Sequence, residues 1–194
     1  INNLQNVLTD KKTRGIYGEI ELYSILENVF GNNNNFYEKQ YKLSNGYIAD
    51  SIIKASPPLG NIVIDSKFPL ENYNRIHNND LSLEERNRAK VNFRKDVLKH
   101  IYDIKDKYIV PLETAEFAYM FIPAEAIFSE IYGKYDDIIQ TSYKTKIYLV
   151  SPKTLMAYIT AIQAIYLGQK RNDKIEIIQQ RTIIFGSASP FSSK

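Results

Sequence analysis

The sequence contains no cysteine, so disulfide bonds, thiolate-bound zinc and a thiol nucleophile are all excluded. It also lacks a run of about 18 apolar residues. The N-terminal residues lack the basic segment followed by an apolar segment that marks a signal peptide. We therefore expect neither a membrane span nor a signal peptide within the chain. A glycine-rich phosphate-binding loop is missing too, which disfavours an ATPase. These absences fit a reducing compartment, and we expect a cytoplasmic domain.

The composition of the chain is that of an ordinary folded protein. Its 194 residues are 44% hydrophobic and 24% charged, which argues against disorder over the whole length. We expect a single domain over residues 1–194, with a core at about 13–168 and a helical or frayed tail at 171–194. The net charge of +3 permits a polyanionic partner but does not require one. The chain starts with Ile1, and we expect it to be a piece of a longer protein.

Apolar spacing predicts a helix followed by three strands in the first part of the chain. The helix covers about residues 13–30, and its predicted buried face carries Ile16, Ile20, Tyr23, Leu26 and Phe30. Asn45-Gly46 then separates two strand-like segments and is the strongest short hairpin signal available. The three strands are predicted at about residues 36–43, 47–54 and 61–67.

A long amphipathic helix is predicted in the middle of the chain, at about residues 83–108. Ser82 and Glu85 have the spacing of a capping box at its start. Strands and helices alternate after it, so an antiparallel meander is joined through a crossover helix to further strands. We therefore predict an α/β (mixed) fold, with a central mixed β-sheet flanked by helices. The later strands are predicted at about 117–122 and 147–150, with helices opened by Pro123 and by Ser151-Pro152.

A charged pair ends the third predicted strand, which is otherwise apolar on both faces. Asp65 and Lys67 share one face of that strand, because strand side chains alternate. Asp50 lies on the preceding strand, and pairing of the two strands would bring Asp50 and Asp65 together near one end of the sheet. Two carboxylates at close range favour a divalent cation between them. Oxygen ligands without cysteine favour Mg²⁺ or Mn²⁺ over Zn²⁺, and the lysine would orient a water molecule or stabilise a developing anion.

Glu19 is a third acid that fits the same site. It borders the apolar face of the first helix, so we expect it to point inward. Each candidate also has an ordinary explanation. Asp65 and Lys67 can form a structural ion pair, and Asp50 can cap a turn. Glu19 can be a partner of Arg14. The combination of these acids with a lysine, in this order, favours the catalytic hypothesis.

The two histidines carry a weaker signal. His77 lies in an asparagine-rich turn and is predicted to be exposed. His100 lies beside the buried face of the long helix and is predicted to form hydrogen bonds at the edge of the core. Neither is spaced with a serine and an acid in the manner of a catalytic triad.

The segments around these residues resemble a known family. Asp50 and the tripeptide Asp65-Ser66-Lys67 resemble the core of the PD-(D/E)XK nucleases, and the chain as a whole resembles the RmuC family of DNA recombination proteins. The resemblance covers nearly all of residues 13–160 and is far more specific than the tripeptide. The matching segments, in order, are RGIYGEIELYSILE, YEKQY, IADSII, IVIDSKFPLENY, HIYDIKDKYI, MFIPAEA and SPKTLMAYI.

This resemblance implies a restriction-endonuclease-like fold and a role in limiting DNA rearrangement at inverted repeats. No small-molecule cofactor is implied. The cation would be Mg²⁺ or Mn²⁺. The implied catalytic and metal-binding residues are Glu19, Asp50, Asp65 and Lys67, with the carbonyl of Ser66 as a further metal ligand and Gln40 nearby.

The resemblance also bears on what surrounds the domain. Members of the family generally carry an N-terminal membrane anchor and a coiled coil. We therefore expect a membrane-anchored full-length protein, which could form a homo-oligomer through a coiled coil outside this chain. One departure concerns DNA: the family usually has Arg-Pro before the first aspartate, where this chain has Ile48-Ala49. The arginine that would contact phosphate is therefore absent here.

Three functional hypotheses remain open on the sequence. The first is a metal-dependent DNA endo- or exonuclease that cuts phosphodiester bonds. The second is a catalytically inactive DNA-binding or protein-interaction module on the same scaffold, because a fold does not fix a function. The third is a purely structural role in a membrane-attached coiled-coil protein. The predicted nucleic-acid contacts of the first hypothesis are Arg14, Gln40, Arg86, Arg94, Lys95 and Lys99.

Overall fold

A sheet of five strands forms the centre of the protein, which a computed structural model describes over residues 10–186. The strands are Tyr37–Lys42 (β1), Ile48–Ile53 (β2), Asn61–Ser66 (β3), Thr114–Phe121 (β4) and Ile147–Val150 (β5). The helices are Lys11–Phe30 (α1), Leu70–Ile76 (α2), Leu83–Tyr108 (α3), Glu125–Lys134 (α4), Asp136–Thr145 (α5) and Pro152–Gly186 (α6). The predicted class, a mixed α/β fold with helices flanking a central mixed sheet, is confirmed.

The strands lie side by side in their order along the chain. β1, β2 and β3 pair antiparallel, whereas β3, β4 and β5 pair parallel. Short turns join antiparallel neighbours, but a parallel neighbour requires a long crossover, which α2 and α3 supply between β3 and β4. The predicted Asn45-Gly46 turn closes the first hairpin, with Gly46 at a φ of +89°.

Helix α3 provides a continuous apolar face, as predicted. Its capping box is present: Ser82 Oγ accepts from the Glu85 N–H at 3.2 Å, and Glu85 Oε2 accepts from the Ser82 N–H at 2.8 Å. The apolar face packs in one cluster with sheet residues such as Val63 and Met120. Its buried residues are Ala89, Phe93, Val97, Ile101, Ile104 and Tyr108.

β3 is buried on both faces because helices cover both sides of the sheet. Val63 belongs to the cluster that α3 forms with the sheet, and Ile64 points to the opposite face. Helix α1 lies on that opposite face, so close that a Cβ added to Gly18 would be 2.3 Å from Ser66 Oγ. By the same alternation, Asp65 faces the side of α3 and Ser66 faces the side of α1.

The prediction for the buried face of α1 is confirmed at Leu26 and Phe30 but wrong at the start of the helix. Ile16 and Ile20 are 49% and 58% exposed. They lie on the side of the helix away from Gly18, and the close approach at Gly18 decides which face packs on the sheet. The residues of α1 that are buried are Gly18, Leu22, Ile25, Leu26 and Phe30.

Two features of the helices were not predicted. α2 follows β3 as a short separate helix, and the region after Pro123 holds two helices, α4 and α5, which meet at Tyr135. None of α2, α4 and α5 has a side-chain hydrogen bond at its N-cap. The sequence therefore lacks the usual signal of a helix start at these three places.

Helix α6 begins at Pro152, as predicted, and reciprocal hydrogen bonds between Ser151 and Thr154 cap it at 2.7 and 3.2 Å. It continues to Gly186, so the predicted tail is helical up to that residue, and positions 187–194 lie outside the described residues. The chain divides into two compact units, Ile1–Met156 and Ala157–Lys194, and the single domain stays a prediction. Between residues 10 and 186, no helix carries an apolar stretch that would cross a bilayer.

Gly60, at the turn into β3, packs against the backbone at the start of β4, and this contact can be tested by substitution. It has a φ of +79°, and an added Cβ would lie 2.7 Å from the carbonyl carbon of Thr114. Gly46 has a similar φ of +89° but open space around an added Cβ, so it is a matched control. We predict that Gly46→Ala lowers the free energy of unfolding by about 1 to 2 kcal/mol. Gly60→Ala should lower it by about 3 kcal/mol or more, because the backbone must also move.

Urea denaturation followed by circular dichroism measures both losses. Equal losses in the two variants would contradict the packing of Gly60 against Thr114.

Candidate functional site

Asp50 and Asp65 face each other at the end of two paired strands. In the antiparallel register of β2 and β3, Ser51 lies opposite Ile64, and one further step places Asp50 opposite Asp65. Directly opposed residues project from the same face of a sheet. Asp65 is 1% exposed, and Asp50 Oδ2 accepts a hydrogen bond from the Ser66 N–H at 2.7 Å. The predicted approach of the two carboxylates is therefore present.

The proximity of the two carboxylates changes the acidity of Asp50. Burial, and then the negative charge of Asp65, raise the pKa of Asp50 to about 7. The Ser66 N–H and the Lys67 ammonium act in the opposite direction but do not cancel these effects. In the absence of a cation, Asp50 thus exchanges its proton near neutral pH.

Lys67 neutralises part of this charge. Its Nζ lies 2.6 Å from Asp65 Oδ2, which confirms that the two side chains share a face. Burial alone would lower the pKa of Lys67, but the charges of Asp65 and Asp50 outweigh burial and raise it. Lys67 is therefore a cation under ordinary conditions, suited to electrostatic stabilisation rather than to proton abstraction.

Asp65 Oδ2 is buried, and the Lys67 ammonium lies against it at 2.6 Å. The contact is an ion pair, although it lacks the alignment of a hydrogen bond. The Tyr108 hydroxyl is nearby but donates to the carbonyl oxygen of Ile48, at 3.1 Å. Burial and then the charge of Asp65 raise the pKa of Tyr108. Lys67 is therefore the group that compensates the buried carboxylate of Asp65.

Glu19 lies at the margin of this pair. It is half-buried, and its Oε2 accepts from Gln40 Nε2 at 3.2 Å. Gln40 also donates to the Tyr23 hydroxyl at 2.7 Å, and that hydroxyl donates to the backbone carbonyl of Asp50 at 3.2 Å. The charge of Glu19 contributes, as the smallest of the causes, to the raised pKa of Asp50. Glu19 therefore reaches the site through a chain of hydrogen bonds.

Gln40 has an unusual backbone within this network. Its φ of +49° lies in the left-handed region, which costs a non-glycine residue free energy. The register of β1 and β2 places it opposite Asp50. Gln40 was predicted to lie near the site and to contact nucleic acid, and nothing in the sequence predicted its backbone conformation.

The donor set suits a hard cation. Asp50 and Asp65 offer carboxylate oxygens without any sulfur ligand, and a cation bound there would share Asp65 with the Lys67 ammonium. Across residues 10–186, however, no three carboxylates or imidazoles are close enough to form a ready-made metal cluster. Asp50 and Asp65 thus fit a Mg²⁺ or Mn²⁺ ion as a pair, and the contributions of Glu19 and the Ser66 carbonyl stay predictions.

Two residues around the site were missed from the sequence. Gly18 lets α1 lie directly against Ser66, and Tyr108 covers Asp65 from the end of α3. Gly18 belongs to the segment RGIYGE that carried the family resemblance, so a signal for it was present. Tyr108 was placed correctly on the buried face of α3, but periodicity alone could not show that this face reaches Asp65.

The predicted nucleic-acid contacts are not gathered on one surface. Arg14 forms an ion pair with Glu71 at 3.5 Å. Arg94 pairs with Asp137 on α5, and Lys95 is exposed. Arg86 is half-buried, and its buried Nε finds no hydrogen-bond partner in the described part of the chain. Lys99, by contrast, lines a groove next to Lys67.

The histidines occupy different surroundings. His77 is exposed, as predicted, and its Nε2 lies 2.6 Å from Glu130 Oε2. His100 is half-buried in the groove that Lys67 and Lys99 line. Its Nδ1 is buried without a hydrogen-bond partner in residues 10–186, so the predicted hydrogen bonding is not seen at that atom. Burial, and then the charge of Lys67, lower the pKa of His100.

The fold and the site together define a mixed α/β protein with a buried Asp-Asp-Lys site at the ends of paired strands. The sequence matches the RmuC family over residues 1–185. The chain belongs to the RmuC family.

Individual relatives agree with this assignment. The chain is 31% identical over 180 residues to the DNA recombination protein RmuC of Escherichia coli K12, an alignment that covers 89% of the chain and 38% of the relative. It is 25% identical over 185 residues to the DNA recombination protein RmuC homolog of Pseudomonas aeruginosa, which covers 92% of the chain and 41% of the relative. The chain therefore spans about two fifths of the length of these relatives. No solved structure is significantly similar to it.

The acidity of Asp50 predicts a pH dependence of stability. Because its folded-state pKa is about 7 and its ordinary value is 3.8, the folded protein binds the proton more tightly than the unfolded chain. The free energy of unfolding should therefore fall as pH rises from about 4 to about 7, with a slope of at most about 1.4 kcal/mol per pH unit from this group. Asp50→Asn should remove this part of the pH dependence.

The measurement is urea denaturation at a series of pH values in the presence of EDTA. Asp106→Asn, which removes an exposed carboxylate on α3, serves as the control. If the stability curves of the wild type and of Asp50→Asn were parallel over this pH range, the raised pKa of Asp50 would be ruled out.

Proposed function

We propose that the chain is the nuclease domain of a longer DNA recombination protein and that it hydrolyses DNA phosphodiester bonds with Mg²⁺ or Mn²⁺. The observation that carries this proposal is the opposed pair of Asp50 and Asp65 with Lys67 beside it, at the buried end of two strands. A pair of buried carboxylates is costly to maintain, and perturbed groups of this kind are concentrated at functional sites. Family membership and the printed names of the relatives support DNA as the substrate.

In this proposal, Asp50 and Asp65 would hold the cation. When bound, such an ion lowers the pKa of a coordinated water molecule and neutralises charge on the phosphate. Lys67, held as a cation by its two acidic neighbours, stabilises the charge that develops on the phosphate. Gln40 and Tyr23 fix the position of Glu19 and of the Asp50 backbone. We propose Glu19 as a further ligand or as a base.

The wider role follows from the family. We propose that the domain limits rearrangement at inverted repeats and works within a full-length protein that a membrane anchor and a coiled coil complete. The chain covers only about two fifths of its relatives, so these properties belong to the proposal for the whole protein.

A second candidate function is a DNA-binding or interaction module without catalysis. Two observations favour it. Glu19 does not complete a three-ligand cluster within the described residues, and the Asp65–Lys67 ion pair accounts for the lysine without any reaction. In that case Asp65→Asn would change stability alone.

Metal binding by the wild type and by Asp65→Asn separates the two candidates. Under the nuclease proposal, titration calorimetry shows binding of Mg²⁺ or Mn²⁺ to the wild type. The variant should lose this binding together with cleavage of hairpin and duplex DNA, because the ion loses one of two charged ligands. Asp106→Asn should retain both properties. A wild type that binds neither ion would sink the nuclease proposal.

Lys67→Gln gives an independent test of the lysine. It removes a positive charge beside Asp65, so binding of the cation should be retained or tighter. Cleavage should fall by about 100-fold or more, because a charge that stabilises the reacting phosphate is lost. Circular dichroism verifies that the variant is folded. Undiminished cleavage would show that Lys67 is structural.

A further inference from the structure

A groove opens directly beside the Asp-Asp-Lys site. Its volume is about 520 Å³, and its lining includes Ser66 and Lys67 of the site. The segment from Phe68 to Asn72, the first turns of α1 and polar residues of α3 complete the lining. A molecule in this groove can therefore contact the proposed reaction centre.

The walls of the groove carry cationic side chains on both sides. α1 contributes Lys11 and Arg14, and α3 contributes Lys99 and Lys107. Three acids also line it, and two of them are close to cations: Glu71 is 3.5 Å from Arg14, and Asp103 is 3.5 Å from Lys99. Asp65 compensates the charge of Lys67, and the four other cationic side chains still outnumber the three acids, so the lining favours a polyanion.

Aromatic side chains accompany these charges. Phe68 lines the groove and stacks on Tyr17, with ring centroids 5.8 Å apart. Lys107 lies 5.9 Å from the ring of Tyr47, which is 48% exposed. Phe68 lines the groove itself, whereas Tyr17 and Tyr47 lie beside lining residues. A positively charged groove that includes an aromatic ring suits single-stranded nucleic acid, because a base stacks on the ring while lysines follow the phosphates.

The groove is large enough for unpaired nucleotides. Its volume of about 520 Å³ lies in the range of pockets that hold small molecules. His100 also lines it, next to Lys99.

We infer that this groove binds an unpaired DNA strand and delivers it to the Asp-Asp-Lys site. The inference rests on the proposed DNA-processing function and deepens it by naming the substrate class, which is single-stranded DNA or an unpaired segment within a longer molecule. Phosphates lie between Arg14 and Lys99, and a base stacks on Phe68.

Binding can be measured apart from cleavage, by fluorescence anisotropy of a labelled oligo(dT) in EDTA. Single-strand affinity should exceed affinity for a duplex of equal length. Lys99→Ala/Lys107→Ala removes two phosphate contacts, so the slope of log K against log salt concentration should become shallower by about 1.4. Phe68→Leu keeps an apolar side chain but removes the ring, so binding should weaken by about fivefold or more with the slope unchanged.

The matched control is Lys90→Ala/Lys105→Ala, which removes two exposed lysines from the same helix outside the groove. This control loses the same two positive charges as the groove variant. Its slope of log K against log salt concentration should stay close to that of the wild type, apart from the small change that the lower net charge causes. Thermal unfolding verifies that each variant is folded. The groove is ruled out if its variants and the control weaken binding equally, or if the duplex binds as tightly as the single strand.

The outcomes separate this inference from the proposed nuclease. Groove-dependent binding of oligo(dT) without cleavage in Mg²⁺ or Mn²⁺ would support the groove and reject the nuclease. Cleavage by a protein whose groove variants bind and cut like the wild type would support the nuclease and reject the groove.

Discussion

The close approach of two carboxylates, Asp65 buried and Asp50 half-buried, is the constraint on which the rest of this structure depends. They come together one position beyond Ser51 and Ile64, where the observed pairing of β2 and β3 ends. The groups around the two carboxylates either compensate their negative charge or are affected by it. The Ser66 N–H and Lys67 oppose it, and Tyr108 closes the site from the end of α3. A site held by strand pairing is rigid, which a reaction that requires fixed ligands needs.

The two helices that flank the sheet serve the site in different ways. α1 approaches the strand backbone closely, because Gly18 lacks a side chain, and it positions the hydrogen-bonded group of Glu19, Gln40 and Tyr23. α3 supplies the core from one face and the wall of the groove from the other. The proposed site thus lies between α1, which packs closely on the strand backbone, and α3, which contributes lysines to the groove.

Local patterns predicted much of this architecture because they reflect local physics. The capping box of α3, the Asn45-Gly46 hairpin and the alternation in β3 each determine their own segment, and alternation sufficed to place Asp65 and Lys67 together. Features that depend on distant packing were not readable. Ile16 and Ile20 were predicted to be buried but are exposed, because Gly18 selects the buried face of α1. The predicted nucleic-acid contacts of α3 do not act together, because partners on other elements, such as Asp137 on α5, form ion pairs with some of them. The conformation of Gln40 likewise has no local sequence signal.

The position of β3 in the sheet has a consequence for the order in which the protein folds. β1, β2 and β3 follow one another through short turns, so their pairing closes small loops, whereas β4 joins β3 only after α2 and α3 have formed the crossover. Contacts between neighbours in sequence form at a low entropic cost and therefore early. Asp50 and Asp65 would thus meet while water still surrounds them, and their desolvation would come late, when α3 docks. The free-energy cost of desolvating the two carboxylates would then arise when α3 docks on the sheet, rather than when the strands pair.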